Sequence, residues 1–196
     1  MGSQIRILAG KYKATHLSAP EGMNTRPTTG RVAENLFNIL QHYKFSDDRF
    51  LDFEGKKILD LCAGSGRLGI ESLSRGASRA IFVDIDANAR GCIRGNLDKL
   101  HLNGVSRIFS RDVKDLGTMP PQAKGPFDII FCDAPYGQNI PATSLQNAFD
   151  NGWIAEGALI IIETEKEKNI SDFSFAALKL EKIYGQTKLH FFENIK

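Results

Sequence analysis

The sequence predicts an α/β domain: a mostly parallel sheet whose last strand is antiparallel, with a small β-hairpin extension at the N-terminus. Three observations predict it. From residue 57 onward short apolar runs alternate with stretches of helical periodicity, the signature of crossover units feeding a parallel sheet. Two β-rich runs flank Gly185 near the C-terminus, and residues 5–18 alternate apolar and polar side chains around Gly10 and Lys11. Both patterns are those of antiparallel pairs.

Taken in order, the hairpin is followed by a helix for which Pro27-Thr28-Thr29 offers a cap. Its apolar stripe is Val32, Leu36, Phe37, Ile39 and Leu40, a pattern of core packing. Residues 44–56 read as a polar connection into the sheet. Strands are predicted at 57–62, 80–84, 106–110, 127–132 and 157–163, and helices at Arg67–Ser74, Ala87–Leu100 and Thr143–Asp150, with Gly76, Gly104 and Gly152 as stops. The runs around Gly185 then close the sheet as an antiparallel pair at its edge.

At 196 residues and 42% hydrophobic content the chain suffices for one substantial core. The formal net charge of +2 does not announce a nucleic-acid binder. Its distribution is more informative, because residues 1–31 carry Arg6, Lys11, Lys13, Arg26 and Arg31 against the single acid Glu21, a candidate phosphate-contacting arm. Cys62, Cys92 and Cys132 lack metal-site or disulfide spacing and imply a reducing cytosol. Cys62 and Cys132 read as small hydrophobes ending buried strands. The four histidines are scattered, so no metal is expected. No apolar run approaches the roughly 20 residues that span a bilayer.

The stretch Asp60-Leu61-Cys62-Ala63-Gly64-Ser65-Gly66-Arg67-Leu68-Gly69 follows the first sheet strand and opens a helix. A strand that turns sharply into a helix while letting a cofactor touch its backbone needs positions without Cβ, which Gly64 and Gly66 supply. Asp84 ends the next strand, where a carboxylate can accept from both hydroxyls of an adenosine ribose. This Rossmann-like geometry serves NAD and S-adenosylmethionine alike. The short chain leaves no room for a nicotinamide enzyme's substrate domain. Asp60 is a poor neighbour for a pyrophosphate and an acceptable one for an ammonium and a sulfonium, so S-adenosylmethionine is preferred. Asp112 with Val113 is a softer candidate for the adenine, since an acid after a strand is often a helix cap.

The fourth strand runs into Asp133-Ala134-Pro135-Tyr136, where open α/β sheets place their sites. Pro135 forces Ala134 into an extended conformation that can aim its carbonyl into the cleft beside the Asp133 carboxylate. An exocyclic amine on a nucleic-acid base has two N–H donors, which this pair can hold. Catalysis would then be chiefly alignment of nitrogen, methyl and sulfur, with stabilisation of the charge growing on nitrogen. Tyr136 would stack on the extruded base.

At these residues the chain resembles the amino-group methyltransferases of Asp/Asn-Pro-Pro-Tyr type. More narrowly, it is similar over nearly its whole length to the bacterial 16S rRNA guanine-N2 methyltransferase D family. The hairpin segment Arg6-Ile7-Leu8-Ala9-Gly10, the Thr25-Arg26-Pro27-Thr28 motif and the Arg31-Val32-Ala33-Glu34-Asn35-Leu36-Phe37-Asn38 block carry the narrower likeness. The resemblance implies a methyltransferase domain at 26–196 and a hairpin arm at 1–25 that touches RNA, with Arg26, Thr28 and Arg31 lining the cleft between cofactor and RNA. The candidate cofactor set is then Asp60, Cys62, Ala63, Gly64, Ser65, Gly66, Asp84, Ile85, Asp112, Val113, Asp133 and Thr28; the catalytic set is Asp133, Ala134, Pro135 and Tyr136; the RNA set is Arg6, Lys11, Lys13, Arg26 and Arg31. A cytoplasmic monomer acting on 16S rRNA within a small subunit or assembly particle is expected. Ala134 stands where the family usually has its first proline, which keeps the carbonyl and loosens the turn. An adenine-N6 methyltransferase acting on DNA or RNA would use the same pocket. A nicotinamide oxidoreductase and a non-catalytic RNA-binding assembly module are the more distant alternatives.

Overall fold

The computed structural model describes residues 5–20, 30–45, 50–135, 140–170 and 173–196. A two-stranded hairpin, β1 (Ile5–Arg6) and β2 (His16–Leu17), precedes helix α1 (Gly30–His42). Then follow β3 (Lys57–Leu61), α2 (Arg67–Ser74), β4 (Arg79–Val83), α3 (Ala87–Lys99), β5 (Ser106–Phe109), β6 (Phe127–Cys132), α4 (Ile140–Asp150), β7 (Ile154–Glu165), β8 (Ala176–Tyr184) and β9 (Thr187–Asn194). The large sheet has the order β5-β4-β3-β6-β7-β9-β8. Pairing is parallel from β5 through β7, and β9 is antiparallel to both β7 and β8. Strand β8 therefore runs with the parallel set, and β9 alone is reversed.

The order of the last two strands follows from their side chains. Leu189, His190, Phe191 and Phe192 of β9 are fully buried, whereas Lys179, Glu181 and Lys182 of β8 are exposed. The apolar strand takes the inner place and the charged one forms the edge, where lysines discourage further pairing.

Side chains alternate along the strands between two cores, as a sheet covered on both faces requires. Ile58, Phe82, Ile129, Phe131, Ile161 and Phe191 meet α1, α2, α3 and the hairpin residues Ile5, Ile7 and Leu17 on one face. Leu59, Ile81, Ile130, Ile160 and Phe192 meet α4, Trp153 and Phe175 on the other. The hairpin thus shares the core of the domain.

Several boundaries depart from expectation. The first sheet strand stops at Leu61, because Cys62 takes a left-handed conformation (φ 58°). Helix α4 begins at Ile140 instead of Thr143, since Pro141 is well suited to a first turn, where its missing N–H is no loss. Strand β7 extends beyond 157–163 at both ends. Among the described residues the hairpin pairs Ile5 with Leu17 and Arg6 with His16, and residues 7–15 form a wider loop. The connection 44–56 is less polar than expected: Phe53 is buried with its ring 5.8 Å from Phe37, and Phe45 and Leu51 pack against the core. The cap expected at 27–29 lies outside the described residues.

Candidate active site

Strand β3 lies where the sheet order reverses, with β4 on one side and β6 on the other. Leu61 pairs with Val83 and with Cys132, so the next residues, Cys62, Asp84 and Asp133, leave the sheet side by side at its carboxyl edge. Open sheets bind ligands at this crevice.

The loop from β3 to α2 visits the left-handed region at Cys62 (58°), Gly64 (56°) and Gly66 (75°). For Cys62 that conformation costs about 1–2 kcal/mol, strain of a kind that gathers at functional sites. The Ala63 N–H donates to the Val83 carbonyl (3.2 Å), the Gly64 N–H to Asp84 Oδ2 (2.9 Å) and the Gly66 N–H to the Ala63 carbonyl (2.7 Å). Beneath the loop, Asp60 Oδ2 accepts from the Gly69 N–H (2.9 Å). A Cβ on Gly69 would sit 2.4 Å from the Phe82 ring, so glycine there permits α2 to lie against β4. The open side of the loop is different: a Cβ on Gly64 would meet nothing nearer than the Cys62 carbonyl, 4.0 Å away.

Asp84 is 7% exposed. Its second oxygen accepts from the Asp86 N–H (2.9 Å), while Arg90 donates to the Asp84 and Ile85 carbonyls (3.1 and 2.7 Å). Each carboxylate oxygen keeps acceptor capacity beyond its one backbone donor. Beside it Ile85 is 68% exposed, a large apolar side chain at the lip of the cleft. Asp133 is half-buried in the turn after β6, with Ala134 buried and Pro135 exposed.

Electrostatics unite these acids. The Asp60 carboxyl is held well above its ordinary value, first by burial, which outweighs the Gly69 hydrogen bond, and then by the charges of Asp133 and Asp84. The Cys62 thiol is pushed up by burial and by Cys132, Asp84, Asp133 and Asp60. Cys132 is pushed up to about 12 by burial, against a hydrogen bond with Ser144. Neither thiol is a nucleophile at neutral pH. The Asp84 and Asp133 carboxylates at this crevice favour a cation, and a cation seated there would in turn favour the charged form of Asp60.

Asp112 caps the short turn 113–115 through the Lys114 N–H (2.9 Å), and the Val113 side chain is turned into the core beneath α4. Arg6, Lys11 and Lys13 are exposed on the hairpin, and Arg31 is exposed at the start of α1. Thr28, Arg26 and Tyr136 lie outside the described residues. Among the described residues no His, Cys, Asp and Glu cluster could hold a metal ion, and no helix is long and apolar enough to cross a membrane.

Sequence reasoning missed the residues that fasten the hairpin. Glu71 of α2, 1% exposed, accepts from the Leu8 N–H (2.7 Å), the Ala9 N–H (3.1 Å) and Arg75 Nε (2.7 Å). Arg75 also lies 4.7 Å over the Phe37 ring. Ser74 Oγ donates to the Ala9 carbonyl (2.6 Å) and accepts from the Tyr12 N–H (3.0 Å). A Cβ on Gly10 would fall 1.8 Å from the Ser74 carbonyl oxygen. The available signal was charge inside a buried helix, since every residue of α2 is buried and a buried charge needs partners.

Comparison with known proteins places these features in context. The family described as Conserved hypothetical protein 95 matches residues 5–193. Ribosomal RNA small subunit methyltransferase D of Haemophilus influenzae is 30% identical over 192 residues, spanning 97% of this chain and 94% of that protein. The protein of that name from Escherichia coli K12 is 31% identical over 191 residues, 97% of this chain and 90% of that one. The solved structure of the Escherichia coli protein yhhF superposes with a TM-score of 0.77 at 31% identity, covering 98% of both chains.

Proposed function

The chain belongs to the ribosomal RNA small subunit methyltransferase D family, that of Conserved hypothetical protein 95, and on that premise we propose that it methylates the exocyclic N2 of a guanine in 16S rRNA with S-adenosylmethionine. The observation that carries this reading is the ring of Asp60, Asp84 and Asp133 around a left-handed glycine loop at the sheet's reversal point. Such a field suits a donor with a sulfonium and an ammonium and repels a pyrophosphate. The residues fit that donor, because the loop is open to a ligand at Gly64 and Asp84 retains acceptor capacity for ribose hydroxyls.

When bound, S-adenosylmethionine supplies a methyl group activated by positive sulfur. The protein's task is to present a weakly nucleophilic nitrogen in line with it, an alignment worth several kcal/mol, up to about 7–11 in the best-oriented cases. The Asp133 carboxylate and the Ala134 carbonyl accept the two N–H groups, fix the plane of the amine and stabilise the charge that grows on it. The nitrogen sheds its proton after alkylation, so Asp133 acts as an oriented acceptor and need not be a strong base. Tyr136 stacks on the base once it has left its neighbours. Alanine at 134 retains the carbonyl, so the effect of losing the usual proline falls on the rate.

The hairpin cations Arg6, Lys11 and Lys13, with Arg26 and Arg31, are assigned to RNA phosphates, and Thr28 to the cofactor. So few cations hold bare RNA weakly at physiological salt, which favours a structured small-subunit particle as substrate. The chain acts as a cytosolic monomer, and its three unpaired cysteines suit a reducing compartment. The first 25 residues form the substrate arm and 26–196 the catalytic domain. Calorimetry tests the donor site: S-adenosylmethionine and S-adenosylhomocysteine bind the purified chain and NADH does not. Asp133→Ala loses about 10²–10³-fold in methyl transfer under saturating S-adenosylmethionine, the cost of one oriented electrostatic partner. Heat from NADH, or none from S-adenosylhomocysteine, overturns the assignment.

A further inference from the structure

We propose that Asn96 is a positioning residue that couples cofactor binding to RNA binding. The proposal rests on reading residues 60–69 as the cofactor loop and the hairpin as an RNA contact. Asn96 lies on α3, is 1% exposed, and uses both N–H groups and its carbonyl. Nδ2 donates to the Ser65 carbonyl (3.0 Å), between Gly64 and Gly66, and to the Ser18 carbonyl (3.0 Å), just beyond β2. Oδ1 accepts from the Ser18 N–H (2.8 Å). One planar amide therefore bridges the cofactor loop and the exit of the hairpin, 31 and 78 residues away along the chain.

The geometry makes this bridge stiff. A carboxamide is planar, so fixing the direction of one N–H fixes the other and the carbonyl with it. The amide end of these bonds is buried and the bonds are partly shielded from water, which strengthens them relative to fully exposed ones. Cys92 Sγ donates to the same Ser18 carbonyl (3.1 Å), and Lys99 Nζ donates to the His16 carbonyl (2.8 Å). These two contacts hold the hairpin to α3 without reaching the loop. Asn96 alone among the three touches both. A ligand that immobilises Ser65 thereby immobilises the amide and, through it, Ser18 at the exit of the hairpin. The ordering is done once, so the second ligand binds to a chain already set, and linkage makes the effect reciprocal.

The test is the affinity of undermethylated small ribosomal subunits for the full chain, with and without saturating S-adenosylhomocysteine. The unaltered chain binds subunits at least five-fold more tightly with S-adenosylhomocysteine, the lower end of ordinary coupling. Asn96→Ala reduces that ratio to about one, and Lys99→Ala keeps it although both loosen the hairpin, a difference that a merely structural role would not produce. Hydrogen exchange in the unaltered chain serves as a readout that does not depend on the variant folding: saturating S-adenosylhomocysteine slows the Ser18 amide more than amides of the β8–β9 pair. A ratio of one in the unaltered chain, a ratio that survives Asn96→Ala, or unchanged Ser18 exchange overturns the coupling and leaves the proposed reaction standing. Failure of the unaltered chain to bind S-adenosylhomocysteine at all overturns both.

Discussion

At the N-terminal end of α2 the chain is held by main-chain geometry: three left-handed residues, N–H groups spent on carbonyls and on Asp84, and a Gly69 pressed against Phe82. At the C-terminal end the hairpin loop is held chiefly by side chains, with Glu71 and Ser74 taking the backbone N–H groups of Leu8, Ala9 and Tyr12 beside one main-chain bond from the Lys11 N–H to the Ser74 carbonyl (2.7 Å). The difference fits the proposed roles of the two ends. A surface that must admit a cofactor to its backbone cannot be crowded with side chains, whereas one that only positions an arm gains from buried, directional bonds.

The largest effect should come from breaking the side-chain end. Glu71→Ala removes the partner of two backbone N–H groups and of Arg75, and is expected to destabilise the chain by about 3–5 kcal/mol, the range for one lost member of a buried charged pair. Urea denaturation measures it, and a loss below about 1 kcal/mol would mean that the apolar contacts of Ile5, Ile7 and Leu17 suffice to dock the hairpin. Gly69→Ala attacks the main-chain end, and overpacking against Phe82 is expected to cost about 1–3 kcal/mol. Because α2 must shift, S-adenosylhomocysteine affinity in calorimetry should fall with it, while Glu71→Ala should spare that affinity in the fraction that remains folded.

Asp60 sharpens the comparison through pH. Its proton leaves the unfolded chain near the ordinary value of 3.8 and is kept to higher pH in the folded chain, so the folded state binds more protons in that window. The contribution of Asp60 to stability is thus fully present below 3.8 and is lost as pH rises through the folded value. Asp60→Asn should remove that share of the pH slope, read as a flatter profile of unfolding free energy above the usual carboxylate range; an unchanged slope would contradict the raised value. The smallest effect is expected from Lys99→Ala, which removes one exposed bond to the His16 carbonyl and should cost no more than about 1 kcal/mol in the same denaturation experiment.

The contrast between the two ends of α2 also marks what was legible in the sequence. The glycine loop and its Asp84 partner were legible because the turn, its glycines and the acid ending the next strand form a local pattern. The parallel strands were legible because burial on both faces writes them as apolar runs such as Ile129–Cys132. Glu71 and Asn96 were not, because they answer to backbone groups 31 to 78 residues away and neither a polar residue in a helix nor a bare N–H carries a local sign of its partner. The capping role of Asp112 was weighed, yet the inward turn of Val113 depends on the core formed by α4 and Trp153. Likewise β9 could be read as a strand, while its place inside β8 emerged from comparing the burial of the two.

The proposed reaction depends on a guanine amine gripped at Asp133 and Ala134 opposite a sulfonium over the glycine loop. The most direct measurement supplies labelled S-adenosylmethionine to undermethylated small ribosomal subunits, then digests the RNA to nucleosides and separates them. The account expects the label in N2-methylguanosine, with less on naked rRNA and none on DNA. Label in N6-methyladenosine, or on DNA alone, would contradict it.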